Sequence, residues 1–325
     1  MGDTLNSCCV IQAPGKINLH LRVEGRRIDG YHAVESLFLC LEFGDTLWFD
    51  LRESGCEEAV CSIRLVDGID SSWAEVLASD RNIITRAVSL FRERTGFDKP
   101  LRVRLKKRIP LGGGMGGGSS DAASALIALD VLAGTALSRD VLLEIAADLG
   151  SDVPFFLSGG RAALVSGRGE VVRPIKTNGL APFWVVLVNP GFPSDTAEAY
   201  ALLDEARRTG RVASLSGRTA EGRALVAVLE KHPAFWSYGN DFLPVFLIPG
   251  AGGEATPPGR TYRDILVSLQ VLGADFSGLS GAGSTCFGIF SRKGSAEQAV
   301  RSFLTRYRFV ELTIPLARSV KAVLQ

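Results

Sequence analysis

The sequence is poor in the side chains that usually bind metals or form covalent cross-links. It contains 3 histidines and 6 cysteines, and no two cysteines stand in a CxxC pair. Zinc sites need several such ligands at close spacing, and disulfide frameworks belong to oxidising compartments. The pattern predicts a cytoplasmic protein with reduced thiols, without a zinc site or a disulfide framework.

Long apolar runs and an excess of one charge are also missing. No apolar run reaches the roughly 18 residues of a membrane span, and no signal-peptide pattern opens the chain. The formal net charge is +1, so we expect no nucleic-acid or membrane partner. We expect small-molecule substrates only, and a monomer or weak homodimer. Lys106, Lys107 and Arg108 are interpreted as the solvated end of a strand.

The length of 325 residues and the hydrophobic content of 46% suit a globular protein of about two domains. Alternating or continuous apolar residues predict strands at 9–12, 17–23, 36–40, 46–51, 101–105 and 183–188, and a hairpin at 161–175. Helical spacing predicts helices at 81–94, after the glycines, and at 139–149, 196–208, 219–231, 262–272 and 297–307. Residues 248–260 are expected to form a loop. The class is α+β in two parts, 1–175 and 176–325.

Glycine is the residue that the sequence has in unusual concentration. PLGGGMGGGSSDAA, at 110–123, places six glycines within seven positions, and such backbone is costly to order. A helix is predicted directly after it. Ser119 or Ser120 is expected to cap this helix, Asp121 suits its positive end, and Gly134 is expected to end it.

Two familiar nucleotide motifs do not account for this first glycine loop (residues 110–118). A Walker loop requires a lysine after the glycines, and none is present. Gly112, Gly114 and Gly117 do match the GxGxxG dinucleotide pattern. That pattern turns straight off its strand and leads through its helix into a second parallel strand. Here a stretch containing Pro110 intervenes, and a second helix follows the first.

A phosphate cradle of another kind remains. The glycines can aim several N–H groups at an anion, and the following helix adds its unpaired N–H groups and dipole. Ser119 and Ser120 add hydroxyls for phosphate or Mg²⁺. The structural alternative is a flexible loop or a close helix–sheet contact. The proline before the glycines and the Ser-Ser-Asp-Ala after them favour the cradle.

Lys16 opens the strand predicted at 17–23. There apolar residues alternate with Asn18, His20 and Arg22, which predicts one buried face. Lys16 is either a surface lysine at a strand end or a partner for phosphate or for a carboxylate. The turn before it and its apolar neighbours favour the second hypothesis.

Three other segments carry possible chemistry. Asp152 lies in GSDVPFF. One hypothesis is a structural aspartate in a turn or at a helix N-cap; the other is the carboxylate that orients or deprotonates an attacking hydroxyl. Both hypotheses remain open. Tyr31 and His32 could sandwich and hydrogen-bond a flat base, or could be a turn tyrosine and a histidine at the core's edge. SGAGSTCFGIF, at 280–290, forms a second glycine loop (residues 280–285) before a strand. It is either a tight turn or part of the same anion site.

The motifs APGKINLHL, PLGGGMGGGSSDAA and SGAGSTCFGIF, in this order over nearly the whole chain, resemble the three motifs of the GHMP kinases. The resemblance implies an α+β fold with an N-terminal ATP-binding domain like ribosomal protein S5 domain 2 and a C-terminal ferredoxin-like domain. It implies ATP-dependent phosphorylation of a hydroxyl group, with Mg²⁺. RRIDGYHAVES, GSDVPFF and NPGFPSDTAEAY resemble the branch that acts on a cytidine diphosphate-linked methylerythritol in non-mevalonate isoprenoid synthesis.

The resemblance also implies roles for individual residues. Lys16 and Asp152 would be the catalytic pair. The ATP-phosphate loop would comprise Pro110, Gly112, Gly113, Gly114, Gly116, Gly117, Gly118, Ser119 and Ser120. The acceptor would be bound by Asn18, Tyr31, His32, Asp152 and Tyr200, and the second loop would contribute Gly281, Gly283 and Ser284. Metal would be held mainly through ATP, with Ser119 or Ser120 as the protein ligand.

Some positions depart from the family pattern, and two other functions stay open. Met115 stands where leucine is usual, Gly15 where alanine is common, and the 249–259 loop is longer than usual. One alternative is another GHMP kinase acting on a smaller alcohol of the mevalonate or homoserine type. The other is a non-catalytic nucleotide-binding regulator on the same fold.

Overall fold

The computed structural model describes residues 8–52, 61–65, 82–177, 180–212, 222–248, 256–317 and 320–324. Within these ranges the protein consists of two sheets, each covered by helices. The start of the helix predicted at 219–231, most of the predicted 248–260 loop and Cys56 lie outside them. In the described ranges no helix combines the length and apolarity needed to cross a membrane.

The first sheet is built around two long strands, which pair antiparallel along nearly their whole length. Its strands are β1 (Cys8–Arg26), β2 (His32–Leu51), β3 (Cys61–Leu65), β4 (Leu101–Lys106), β5 (Ala162–Ser166), β6 (Val171–Ile175) and β11 (Val323–Leu324). The order is β11–β1–β2–β4–β3, with β5 and β6 beside the first half of β2. The 20-residue β2 pairs with β5 early and with β4 late.

Helices α1 (Ile83–Thr95), α2 (Gly117–Ala133), α3 (Arg139–Leu149) and α4 (Val153–Leu157) pack with this sheet. Alanines on α2, including Ala122 and Ala125, are fully buried, so the helix lies close against its neighbours. The predicted ends are confirmed: α2 ends at Gly134, and α3 lies between Ser138 and Gly150.

The second sheet has the strand order of a ferredoxin-like fold. Its antiparallel strands are β7 (Trp184–Asn189), β8 (Phe276–Leu279), β9 (Cys286–Phe290) and β10 (Phe309–Thr313), in the order β10–β7–β9–β8. Its helices are α5 (Thr196–Arg208), α6 (Arg223–Leu229), α7 (Phe242–Leu247), α8 (Pro257–Val271) and α9 (Lys293–Leu304). The α+β class is confirmed. The division near residue 175 stays a prediction; β11 brings the chain back to the first sheet.

Three predictions about local structure were wrong. The strands predicted separately at 36–40 and 46–51 are parts of the single strand β2. Residues 9–12 and 17–23 belong to one strand, because a bulge between Pro14 and Lys16 absorbs the irregularity. Residues 257–260 are helical: α8 begins at Pro257, and the Thr256 hydroxyl caps it by accepting from the Gly259 N–H at 3.1 Å. Proline is tolerated in a first helical turn because its missing N–H would have no partner there.

The polar face of β1 is buried, which alternation alone did not indicate. Asn18, His20 and Arg22 are at most 5% exposed, although they alternate with apolar residues. Backbone bonds join Leu21 to Gly239 and Asp241. β1 is therefore buried on both faces: Ile17 and Leu19 cluster with Val185 and Leu187 of the second sheet, and the alternating polar side chains are buried as well.

Candidate active site

Lys16 is aimed by the β-bulge in β1. The register with β2 shifts between Pro14 and Lys16, and a bulge of this kind redirects the side chain that follows it. The Lys16 N–H donates to the carbonyl of Met115 in the first glycine loop at 3.0 Å. The lysine is thus fixed against that loop from the strand side.

The structure brings Lys16 and Asp152 together. Lys16 Nζ lies 3.6 Å from Asp152 Oδ2 and donates to Asn18 Oδ1 at 2.5 Å. It also sits 4.3 Å from the centre of the Phe38 ring. Burial lowers the pKa of Lys16, and the Asp152 carboxylate opposes that shift. The surface-lysine hypothesis is excluded by this burial.

Asp152 occupies the N-cap position of α4, a helix of 5 residues. Its carboxylate makes no capping hydrogen bond within the described structure, and its side chain is 30% exposed. A carboxylate that is partly exposed and not engaged in capping can meet a ligand. The geometry therefore favours the hypothesis of a reacting group over that of a simple N-cap.

The first glycine loop turns through three left-handed glycines, Gly112, Gly114 and Gly116, with φ of 63°, 72° and 68°. Gly116 is the N-cap of α2, so neither Ser119 nor Ser120 caps the helix. The helix starts earlier because Gly116 adopts a conformation that L side chains avoid. Gly117, Gly118 and Ser119 then form the first turn, whose N–H groups have no intrahelical partner.

The other loop residues have distinct surroundings. The Gly113 N–H donates to the Pro110 carbonyl at 3.3 Å, which closes a tight turn. A Cβ at Gly118 would lie 3.6 Å from Ile83, at the start of α1. Ser119 is half-buried, whereas Ser120 is buried and its hydroxyl has no hydrogen-bond partner among the described residues.

The two glycine loops touch through their backbones. A Cβ at Gly114 would collide with the Ser280 carbonyl oxygen and lie 2.7 Å from that of Gly283. Ser280 Oγ donates to the Gly114 carbonyl at 2.8 Å, and the Thr285 N–H donates to the Gly113 carbonyl at 3.2 Å. The close-contact hypothesis is therefore correct for part of the loop, whereas the start of α2 is half-buried.

The predicted residues of the second loop lie at this contact. Gly281 is left-handed, with φ 57°. A Cβ at this position would lie 3.3 Å from the backbone of Gly114 and 3.6 Å from Asn18 Oδ1. Gly283 faces the hydroxyl of Tyr262. The Ser284 hydroxyl donates to the Phe192 carbonyl and accepts from Asn189 Nδ2 at 3.1 Å, so it is held within its own domain.

A buried ion triad lies beneath the start of α2. Lys107 Nζ is 2.5 Å from Asp45 Oδ2 and 2.8 Å from Asp121 Oδ2. A Cβ at Gly117 would lie 2.9 Å from the same Nζ. The interpretation of Lys107 as part of a solvated strand end was wrong, because both carboxylates enclose its ammonium group.

Asp121 therefore does not cap α2 and instead pairs with Lys107. Asp45 also accepts from the Arg108 and Ile109 N–H groups. One buried cation is then shared by two carboxylates, and burial raises the pKa of Asp121 to about 8. The charge of Asp45 adds to that shift, while Lys107 opposes it.

The aromatic residues expected at the acceptor side are partly assembled. The rings of His32 and Tyr200 stack at 4.7 Å and 15°, and His32 Nε2 lies 2.8 Å from Asp204 Oδ1. Burial, followed by the charge of Asp152, raises the pKa of Tyr200 to about 12. Tyr31 stands apart, 59% exposed, with the Arg168 guanidinium 5.1 Å from its ring centre.

Asn18 uses both ends of its amide inside the protein. Oδ1 accepts from Lys16, and Nδ2 donates to the Ser36 hydroxyl at 2.9 Å.

The sequence did not identify Ser280, Asp204 or Lys107 as part of the site. Ser280 is the first residue of SGAGSTCFGIF, and its place in that glycine-rich motif is the one feature of the sequence that indicates a role in the site. Asp204 lies four residues after Tyr200, one helical turn away.

No group of three or more His, Cys, Asp or Glu side chains that could hold a metal occurs in the described part of the chain. Oxygen atoms at the start of α2 are the remaining candidates. Ser119 and Ser120 supply hydroxyls there, and that of Ser120 is unpartnered. These groups fit a hard cation that is held chiefly by phosphate oxygens.

Family models and relatives agree with this geometry. Residues 82–160 match the model of the GHMP kinases N terminal domain, and residues 248–308 match the GHMP kinases C terminal model. A curated 4-diphosphocytidyl-2-C-methyl-D-erythritol kinase from Salinispora arenicola is 35% identical over 89% of this chain and 85% of its own length. A protein of the same name from Treponema pallidum is 36% identical over 91% of this chain and 95% of its own length.

Solved structures give the same picture. A crystal structure of 4-(cytidine 5'-diphospho)-2C-methyl-D-erythritol kinase aligns with a TM-score of 0.73 and 29% identity, over 95% of this chain and 100% of that one. A homoserine kinase from Cytophaga hutchinsonii shares the fold. It aligns with a TM-score of 0.68 and 15% sequence identity over 99% of each chain. The chain belongs to the GHMP kinases and, within them, to the family of the 4-diphosphocytidyl-2-C-methyl-D-erythritol kinases.

The raised pKa of Asp121 predicts a pH-dependent effect on stability. The folded protein keeps a proton on Asp121 that the unfolded chain loses near its ordinary pKa of 3.8. This contribution is present below that value and declines as pH rises toward 8. We expect Asp121→Asn to gain stability relative to the parent by up to about 1.4 kcal/mol per pH unit between pH 5 and 7.

Urea unfolding at several pH values measures this difference. Asp98→Asn, at an exposed carboxylate, is the control, for which a flat difference is expected. A difference that stays flat between pH 5 and 7 would show that Asp121 is already ionised in the fold.

Proposed function

We propose that this protein transfers the γ-phosphate of ATP to the 2-hydroxyl group of 4-diphosphocytidyl-2-C-methyl-D-erythritol, in non-mevalonate isoprenoid precursor synthesis. The observation that carries the proposal is the Lys16–Asp152 pair at 3.6 Å beside the first glycine loop. It places a cation and a carboxylate next to a helix start suited to phosphate. The relatives' names supply the acceptor.

Each catalytic role follows from the surroundings of the residue. Asp152, partly exposed, orients the acceptor hydroxyl and takes its proton. Lys16 pairs with Asp152 at 3.6 Å and, beside the first glycine loop, stabilises negative charge on the transferred phosphoryl group. The glycines at 112–118 leave N–H groups of the loop and of the first helical turn open to the triphosphate. Transfer is direct, from ATP to the hydroxyl.

Mg²⁺ would be held mainly by ATP, with the Ser119 or Ser120 hydroxyl as the ligand from the chain. When bound, the ion neutralises phosphate charge. The acceptor's cytosine is assigned to the stacked His32 and Tyr200 rings, with Tyr31 closing on the base from the adjoining turn, because aromatic faces suit a flat base.

We also propose that the protein works on small molecules alone, in the cytoplasm, as a monomer or a weak homodimer. The balanced charge of 36 basic and 35 acidic side chains supports the absence of polyanion partners. Cys8, Cys9, Cys40 and Cys286 are free thiols, which suits a reducing compartment.

A substrate panel tests the assignment. ADP release is measured with ATP and, in turn, 4-diphosphocytidyl-2-C-methyl-D-erythritol, mevalonate, homoserine and galactose. We expect turnover with the first that exceeds the others by at least about a hundredfold, because buried polar groups left unpaired penalise the wrong substrate strongly. Preference for a smaller alcohol would overturn the assignment of the acceptor. If none of the four acceptors supported ADP release, the kinase assignment itself would be overturned.

The role of Asp152 predicts a loss confined to the chemical step. Asp152→Ala is expected to lower kcat by about a hundredfold or more, the usual size of an acid–base contribution. The dissociation constant for ATP, measured by calorimetry, should stay within about twofold. Asp148→Ala, at an exposed aspartate near the end of α3, is the control. Full activity of Asp152→Ala would exclude the role.

The proposed base pocket predicts a loss confined to the acceptor. Tyr31→Ala and Tyr200→Ala should each raise the KM for the cytidine substrate about tenfold, since aromatic–base stacking contributes about 1–3 kcal/mol. The KM for ATP should not change. Phe235→Ala, at an exposed aromatic residue, is the control. An unchanged acceptor KM in both tyrosine variants would contradict the cytidine pocket.

A further inference from the structure

The segment 239–241 is a separate connection between the two sheets. The Leu21 N–H donates to the Gly239 carbonyl at 2.8 Å, and the Asp241 N–H donates to the Leu21 carbonyl at 2.9 Å. These bonds form a parallel bridge between Leu21 and Asn240. The bridge lies on β1 only three positions beyond Asn18, so the segment is anchored to the strand that carries the site.

From this anchor, Asn240 reaches the second glycine loop. Its Nδ2 donates to the carbonyls of Leu279 and Gly281, at 2.7 and 2.8 Å. Its Oδ1 accepts from the Phe242 N–H at 2.9 Å. The amide is 8% exposed and its orientation is fixed, because a flipped amide would set oxygen against two carbonyl oxygens.

The two carbonyls that Asn240 binds flank Ser280. Ser280 Oγ donates to the Gly114 carbonyl at 2.8 Å and accepts from the Asn18 N–H at 3.3 Å. Asn240 thus holds both peptide units beside the residue that joins the second loop to the first. A shift of the second loop would pass through Ser280 to the phosphate side of the site.

Asp241 secures the same segment on its other side. Its Oδ2 accepts from the Val23 N–H at 2.8 Å and from Arg207 at 2.7 Å, and it is 1% exposed. Arg207 belongs to α5, the helix that carries Tyr200. The charged pair fixes Asn240 relative to β1, so that the amide can act as a rigid support.

We propose that Asn240 is a positioning residue for ATP binding, which acts through Ser280 to hold the second glycine loop against the first. It touches no reacting atom. The proposal rests on ATP being the phosphate donor, as inferred above, and does not depend on which alcohol is phosphorylated. Its distinctive consequence is a change on the nucleotide side of the reaction that leaves the acceptor side unaltered.

The test compares Asn240→Ala, Ser280→Ala and their combination in the full chain. ATP affinity is measured by calorimetry with no acceptor present, followed by KM for both substrates. We expect Asn240→Ala to weaken ATP binding about tenfold without changing the acceptor KM. Because the two residues act in sequence, the double variant should be scarcely weaker than either single one. Additive losses, or an unchanged ATP affinity, would overturn the proposal.

A control separates positioning from loss of stability. Thr256→Ala removes the cap of α8 and a hydrogen bond to the Phe246 carbonyl, in the same part of the fold but away from the loops. It should lower Tm while ATP binds normally. Backbone hydrogen exchange at residues 280–285 should be faster in Asn240→Ala than in the parent, and unchanged in Thr256→Ala. Equal exchange rates at 280–285 in the two variants would contradict the positioning role of Asn240.

Two further outcomes are informative. If Asn240→Ala does not fold, Ser280→Ala alone decides, because it leaves the bonds of Asn240 intact: normal ATP affinity in that variant overturns the proposal. If the parent itself binds no ATP, the proposed function fails, and the inference about Asn240 fails with it.

Discussion

At Gly114 the first glycine loop meets the second with no side chain between them, and most of the site is built on that contact. A side chain at this position would collide with the backbone of the second loop. The next residue, Met115, receives the N–H of Lys16, while Ser280 binds both Gly114 and the N–H of Asn18. The part of β1 around Lys16 is thereby held by the backbone of the first loop and by the Ser280 hydroxyl of the second.

Two buried lysines sit close to the first loop, but their charges are balanced differently. Lys107 lies between Asp45 and Asp121, so its charge is compensated by groups buried within the protein. Lys16 donates to the neutral Asn18 and meets Asp152 at 3.6 Å. A buried cation with a single, partly solvated counterion retains attraction for further negative charge. This contrast identifies Lys16 as the lysine suited to meet phosphate, and Lys107 as the one that supports the loop from below.

Sequence patterns predicted most of the elements because local signals specify them. Ser138 and Gly150 bound α3, and the turn at 167–170 joins β5 and β6. The buried polar face of β1 could not be predicted in this way. It depends on residues 239–241 and Ser280, which are more than 200 positions away in the chain. The capping role of Ser119 or Ser120 failed for a different reason, since a left-handed Gly116 begins the helix first.

The candidate site divides along the same line. The motifs located Lys16, Asp152 and both glycine loops, because each lies within a short stretch of unusual composition. The partners that orient them come from elsewhere: Asp45 and Lys107 are 62 positions apart, and His32 and Asp204 are 172 apart. Single residues of ordinary composition leave no local signal, and only the folded topology brings them to the site.

The glycine run combines two requirements that looked like alternatives in the sequence. Gly114 is needed because another backbone approaches it, and Gly116 because a left-handed turn starts α2. A Cβ at Gly116 would lie 3.2 Å from the Lys16 side chain, so the half-buried first helical turn starts directly beside that lysine. Close packing on one side of the loop is therefore what leaves N–H groups unobstructed on the other, and the contact between loops and the space for phosphate have the same structural cause.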